Sequence, residues 1–172
     1  MVGSDPADRG ARMTLHTPHL LAPEDGEHWS FLNTNMTVKV DGARSGGVMT
    51  VIEALMPPGF GPPPHIHDRE DELFFVLEGE LLLWCDGAEA TYGPGGTAWL
   101  PKGLAHRFEV VSPEPARMLQ VTTPAQFEDF VKAVGSPMDR FELPTPSEPD
   151  IEALVRISAD FGIEILGGPP PS

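Results

Sequence analysis

The sequence predicts an all-β barrel or sandwich followed by two carboxy-terminal helices. Three observations carry this. Short apolar runs recur through the first two thirds of the chain, about eight or nine of them, each closed by a turn signal. The 20 Pro and 18 Gly of the 172 residues cluster between those runs. From Thr123 onward the apolar period lengthens to that of a helix.

Residues 1–12 are small and polar and read as a disordered extension ahead of a start at Met13. His16 and His19 flank Pro18 with no carboxylate nearby, so both read as solvent-facing. Strand-like alternation begins at His28–Leu32 and resumes at Thr37–Val40, ending at the turn Asp41-Gly42. Gly46-Gly47 opens the strand Val48–Met56, which stops at Pro57-Pro58. Within it Met49, Val51, Glu53 and Leu55 share a face, and Glu53 reads as an edge or surface residue. Leu73–Leu77 and Leu81–Cys85 follow, and Asp86-Gly87 signals a tight hairpin. Cys85, at a strand end with no base beside it, reads as a packing thiol. Beyond the turn Tyr92–Gly96 come Thr97–Leu100, a reversal at Pro101-Lys102-Gly103, then His106–Val111 and Arg117–Thr122.

This makes residues 13–122 the barrel and 123–172 a helical tail, in one domain with chain enough for a single core. Thr123-Pro124-Ala125-Gln126 has the form of a capping box with Pro at the first helical position. Phe127, Phe130, Val131 and Val134 then recur at helical spacing up to Gly135. Ser136–Asp150 carries Pro137, Pro144, Pro146 and Pro149 and reads as an extended connector. A second helix places Ile151, Leu154, Val155, Ser158 and Phe161 on one face and ends at Gly162. Ile163–Leu166 is apolar enough to dock, and Gly167–Ser172 should fray. Both helices are expected to cover the barrel or a subunit interface.

A formal charge of −15 with no basic run argues against nucleic acid or an anionic membrane as partner. The single cysteine excludes an intramolecular disulfide framework. No signal-peptide core and no stretch of membrane-spanning length is present. A soluble cytoplasmic protein is the expectation.

The chemistry is concentrated in His65-Ile66-His67-Asp68-Arg69-Glu70-Asp71-Glu72. In an extended strand His65 and His67 point the same way, and a short bend brings the Glu72 carboxylate back to them. The stiff Pro57–Pro64 stretch precedes them, and His106 follows a turn as a fourth candidate. Three nitrogens and one oxygen suit iron, manganese, nickel, cobalt or zinc as a divalent ion. An isolated His-x-His pair is most often structural, so the full spacing carries the argument.

That spacing runs Gly59, His65, His67, Glu72, Gly79, and then Gly95, Pro101, Gly103, His106. It resembles the two-part signature of the cupin family at every fixed position but the last, where Val110 stands in place of Asn. The resemblance implies a single cupin jelly-roll barrel, with His65, His67, Glu72 and His106 as ligands of one divalent transition metal ion. The Gly59–His67 stretch with a helical tail looks most like single-domain cupins related to quercetin dioxygenase. This implies cleavage of a hydroxylated aromatic or polyketide-like small molecule with dioxygen, Glu72 serving both as ligand and as proton acceptor. Strand parity puts Phe74 and Phe108 on the ligand face as substrate walls, with Trp99 as another candidate and Val76 as ordinary core. A redox-neutral cyclase, isomerase or lyase would use the same four ligands, and a non-catalytic small-molecule-binding cupin is the third reading. A homodimer is expected by the same resemblance.

Overall fold

A computed structural model describes residues 17–167. The expectations for residues 1–12, His16 and most of the terminal Gly167–Ser172 lie outside the described residues. Two antiparallel sheets face each other. The larger contains β1 (Glu27–Phe31), β2 (Thr34–Val40), β3 (Thr50–Met56), β5 (Asp71–Glu78), β8 (Thr97–Leu100), β10 (Ala116–Thr123) and β11 (Ser136–Met138), in the order β11-β1-β2-β3-β10-β5-β8. The smaller contains β4 (His65–His67), β6 (Leu81–Cys85), β7 (Ala88–Tyr92), β9 (His106–Val110) and β12 (Ile163–Ile165), in the order β12-β4-β9-β6-β7. Three helices complete the fold: α1 (Gly42–Ser45), α2 (Phe127–Val134) and α3 (Ile151–Asp160). This is the jelly-roll arrangement of two sheets over one core.

Strand alternation does what the sequence pattern requires. Thr50, Ile52, Ala54 and Met56 of β3 are buried, as are Phe74 and Val76 of β5 and Met118, Gln120 and Thr122 of β10. They meet Leu81, Leu83, Phe108 and Val110 from the smaller sheet in one continuous core. Burying a side chain of this size contributes roughly 1.5–3 kcal/mol, which makes the alternation energetically binding. Cys85 is partly buried, and burial pushes its thiol pKa up, in keeping with a packing role.

Several local expectations need correction. Glu53 is neither at an edge nor on the surface, because β3 lies between β2 and β10. It is buried on the outer side and forms ion pairs with Lys39 at 2.9 Å and with Arg117. Thr123 caps no helix: it ends β10, and its hydroxyl donates to the Val48 carbonyl at 2.9 Å. Helix α2 begins only at Phe127, so Pro124 is not its first residue. Pairing with Asp71 of β5 has captured Thr123, the residue that would have formed the cap. The connector after α2 contributes a strand, β11, which pairs with β1. Helix α3 forms as expected, with the Asp150 side chain accepting from Ala153 N at 2.9 Å, but of the expected apolar face Leu154 and Ser158 are buried whereas Ile151 and Val155 are exposed.

The tail wraps back onto the barrel. Strand β12 pairs antiparallel with β4, setting Ile163 opposite His67 and Ile165 opposite His65. Asp68 N donates to Gly162 O and Leu166 N to Pro64 O, which fastens both ends of this short ladder. Glu128 of α2 is buried and accepts from Gly42 N at 2.6 Å and from the Thr50 hydroxyl, tying the helix to the larger sheet. Among the described residues no helix is long and apolar enough to cross a membrane.

Candidate metal centre

Adjacent strands of the smaller sheet supply the imidazoles. His65 and His67 lie on β4, and His65 pairs directly with His106 of β9. Glu72 reaches them from β5 in the opposite sheet. The turn at Pro101-Lys102-Gly103 sets β9 in register: Gly103 has φ of 81°, a conformation open to glycine, and its N–H donates to His67 O at 2.8 Å. On the other side Gly61 crosses β9 so closely that a Cβ would lie 2.4 Å from Phe108 O. Val110, at the position where the family signature has Asn, is buried; its N–H donates to Phe60 O and its carbonyl accepts from Gly59 N. The backbone of β9 therefore holds the Pro-rich approach loop.

The structure brings His65, His67, Glu72 and His106 together, with one potential ligand atom from each lying within 4.8 Å of the others. His67, Glu72 and His106 are almost fully buried, and His65 is partly so. Each outer atom is anchored. His65 Nδ1 donates to Pro63 O at 2.9 Å, His67 Nδ1 to Glu70 Oε1 at 2.8 Å and His106 Nδ1 to Leu104 O at 3.1 Å. Gln120 Nε2 donates to Glu72 Oε1 at 2.6 Å. With Nδ1 protonated, each imidazole turns an Nε2 lone pair inward. Glu72 Oε2 and His106 Nε2 are 2.9 Å apart yet neither has a hydrogen-bond partner of proper geometry. Buried, mutually facing and unpaired donor atoms fit a cation between them.

The electrostatics agree with that fit. Burial, reinforced by His106 and His67, pushes the His65 pKa down to about 3, so its ring is neutral near pH 7. Burial pushes the Glu72 carboxyl up, but the three imidazoles outweigh it and hold the pKa at about 2. His67 is raised, because Glu72 and Glu70 outweigh its own burial. Nitrogen lone pairs beside an ionised carboxylate are the state a divalent ion requires.

Above the cluster lies a cavity of about 70 Å³. Phe74 and Phe108 line it, their rings 5.5 Å apart and nearly perpendicular, with Phe60 6.0 Å from Phe108. Val76 is buried in the core away from this cavity. Trp99 does not belong to it. It is 53% exposed and faces outward on β8, so the expected wall residue is corrected: alternation along β8 sends Leu100 inward and Trp99 out. The opposite wall comes from the tail, through Phe127 and Phe130 of α2, Leu154 and Ser158 of α3, and Ile163 and Ile165 of β12. Sequence reasoning did not place these residues, nor Glu70 and Gln120. Gln120 had a readable signal, a long polar side chain on the inward face of a barrel strand.

The Cupin domain family matches residues 52–122. Quercetin 2,3-dioxygenase of Bacillus subtilis (strain 168) is 28% identical over 124 residues, covering 71% of this chain and 36% of that protein. Quercetin 2,3-dioxygenase of Aspergillus japonicus is 28% identical over 104 residues, covering 56% of this chain and 29% of that one. The chain thus spans about a third of the length of these curated relatives. An RmlC-like cupin from Shewanella frigidimarina NCIMB 400 superposes with a TM-score of 0.56 at 19% identity, covering 68% of this chain and 99% of that one, a likeness of fold. Residues 52–122 therefore form a cupin domain that resembles those of quercetin dioxygenase-like proteins, with a His/Glu cluster able to hold a metal ion.

Proposed function

We propose that the chain is a mononuclear metal-dependent enzyme in which His65, His67, Glu72 and His106 hold one divalent transition metal ion. Its reaction would be the dioxygenation of a small hydroxylated aromatic or similarly enolic molecule. The observation that carries this reading is the convergence of four buried donor atoms, each anchored from behind, at the floor of an apolar cavity. A divalent ion held by these four residues would act as a Lewis acid toward a substrate oxygen and support dioxygen chemistry.

The protein's own residues do the rest. Phe60, Phe74 and Phe108 take the flat body of the substrate and exclude water. Glu72 is the one carboxylate on the cavity wall and therefore the proton acceptor for the incoming hydroxyl. At a pKa of about 2 it is a weak base. Buried beside three imidazoles it stays ionised, so it would take a proton only from a hydroxyl more acidic than a free phenol. Gln120 fixes Glu72 Oε1 and leaves Oε2 as the accepting atom. A homodimer belongs to the same proposal by likeness to single-barrel cupins, and a cytoplasmic location is supported by the single thiol.

The test is elemental analysis of the purified protein and of His67→Ala, together with oxygen consumption against a panel of catechols and flavonols. About one equivalent of transition metal per chain, lost in the variant, is expected for a single four-ligand site. Equal metal content in both proteins would remove the assignment. Full metal loading with oxygen uptake on no panel member would move the reading to redox-neutral Lewis-acid chemistry on the same ligands.

A further inference from the structure

The cavity above the metal ligands is small for its proposed task. At about 70 Å³ it is well below the ~150 Å³ of an apolar protein cavity that admits benzene. A second cleft of about 240 Å³ lies between the β1–β2 turn, the connector and α3. Leu32 and Leu154 line both spaces. Together the two spaces reach the lower end of the ~300–1,000 Å³ range of small-molecule pockets.

The two leucines are held in unlike ways. Leu154 is a buried residue of α3. Leu32 sits in the two-residue turn between β1 and β2 with φ of 49°, followed by Asn33 at 68°. Such turns favour Asn and Gly, and a branched side chain in the left-handed region is disfavoured. The turn is clamped from outside: Asn33 Nδ2 donates to Ser147 O at 3.0 Å, and Ser147 N donates to Asn33 Oδ1 at 2.8 Å. A strained residue kept in place by its surroundings, at the wall between two cavities, is where a functional constraint is expected. The chambers also differ in chemistry. The inner one is walled by aromatic and aliphatic groups, whereas Ser30, Asn33, Ser136, Glu148 and Asp150 line the outer one.

We propose that the two cavities are chambers of one substrate site, divided by Leu32 and Leu154. The substrate lies across the partition with an apolar, hydroxyl-bearing head at the metal ligands and a polar tail in the outer cleft. Because Glu148 and Asp150 line that cleft, the tail is uncharged or cationic, and carboxylates or phosphates are excluded. This rests on the proposed metal-site reading for the orientation of the head, but the partition and the charge preference do not depend on a metal.

Three probes share one head and differ in the tail: phenol, tyramine and 3-(4-hydroxyphenyl)propionate. Their affinities are measured by ligand-observed NMR on the full chain as purified and again after chelator treatment, in low salt. Tyramine is expected to bind at least about tenfold more tightly than the propionate, and Glu148→Gln to remove most of that preference. Leu154→Ala and Leu32→Gly are both expected to raise the affinity of tyramine severalfold with little change for phenol. Leu154→Ala should lower the melting temperature, whereas Leu32→Gly relieves a left-handed leucine and should not. A shared gain in tail binding with opposite stability effects therefore cannot be loosening of the fold. Equal affinities for the two charged tails, a variant effect equal for phenol and tyramine, or no binding of any probe would overturn the proposal. Protein that holds no metal as purified and takes up none when Zn²⁺ or Co²⁺ is added, yet still shows the tail preference, would sink the metal reading and leave the two-chamber site standing.

Discussion

Replacing Glu70 with Leu removes the acceptor that holds the His67 Nδ1 proton at 2.8 Å, and leaves that N–H inside the protein, where His67 is 2% exposed. An unpaired buried donor costs about 1–3 kcal/mol. That cost falls most heavily on the metal-bound state, where the ring must keep one orientation with Nε2 inward. It corresponds to a loss of about 10–100-fold in metal affinity, the range found for groups that orient a metal-binding imidazole. A second effect has the opposite sign. Glu70 is itself almost fully buried, its Oε2 has no partner, and burial, only partly offset by His67, raises its pKa. Leu removes that poorly solvated carboxyl, so the metal-free variant should melt close to the wild type or above it. Competition with a chromophoric chelator for Zn²⁺ or Co²⁺ measures the first effect, and thermal melting of chelator-treated protein the second. Glu70→Gln keeps an oxygen acceptor without the charge and should fall between Leu and wild type in affinity. Wild-type affinity in Glu70→Leu, or an affinity loss that tracks a loss of metal-free stability across the two variants, would refute the positioning argument.

The metal-free protein should lose stability as pH falls. His65 and Glu72 have folded pKa values of about 3 and about 2, below their ordinary 6.5 and 4.5, so the unfolded chain binds the extra protons and stability drops from pH 6.5 downward through those values. The slope is about 1.4 kcal/mol per pH unit for each such proton. His67, with its raised value, works against this, and its contribution fades as pH rises above 6.5. Urea titrations showing constant stability between pH 6.5 and 4 would contradict the balance. Trp99→Ala should leave phenol binding and metal content unchanged, whereas Phe108→Ala should cost about 3–5 kcal/mol of stability and weaken phenol binding. Light scattering should give twice the 18.6 kDa chain mass, and a species of single-chain mass at working concentration would end the homodimer expectation.

The barrel was legible because a strand in a two-sheet sandwich buries every second residue. Apolar runs and turn punctuation then locate most strands: the expected Val48–Met56 contains the strand Thr50–Met56, and the expected Leu73–Leu77 lies within Asp71–Glu78. The clustering of the ligands was legible for a related reason: His65 and His67 share a face by strand geometry alone. What escaped depends on partners distant in sequence. Glu53 looks misplaced until Lys39 and Arg117 are brought beside it from neighbouring strands. Thr123-Pro124-Ala125-Gln126 has the local form of a cap, but pairing of β10 with β5 extends the strand through Thr123. Ile163–Ile165 carries too few residues to declare itself a strand, and becomes one because β4 offers an unpaired edge beside the ligands. Leu32 gives no sign in sequence of a left-handed turn, since its neighbours supply the constraint.

The division of labour between segments explains how far likeness to known cupins reaches. Residues 52–122 contain all four members of the ligand cluster and their anchors Glu70, Pro63, Leu104 and Gln120. That segment fixes what can be held at the bottom of the cavity. The groups that bound the substrate on the far side, Phe127, Phe130, Leu154, Ser158, Ile163 and Ile165, all lie beyond residue 122. They reach the site only because β12 joins the sheet at β4 and α2 and α3 close over it. A change of one methylene in such a wall alters binding by about 1–3 kcal/mol. Substrate preference can therefore drift through the tail while the ligand set stays fixed. On the proposed function, the tail and the β1–β2 turn, more than His65, His67, Glu72 and His106, would decide the substrate.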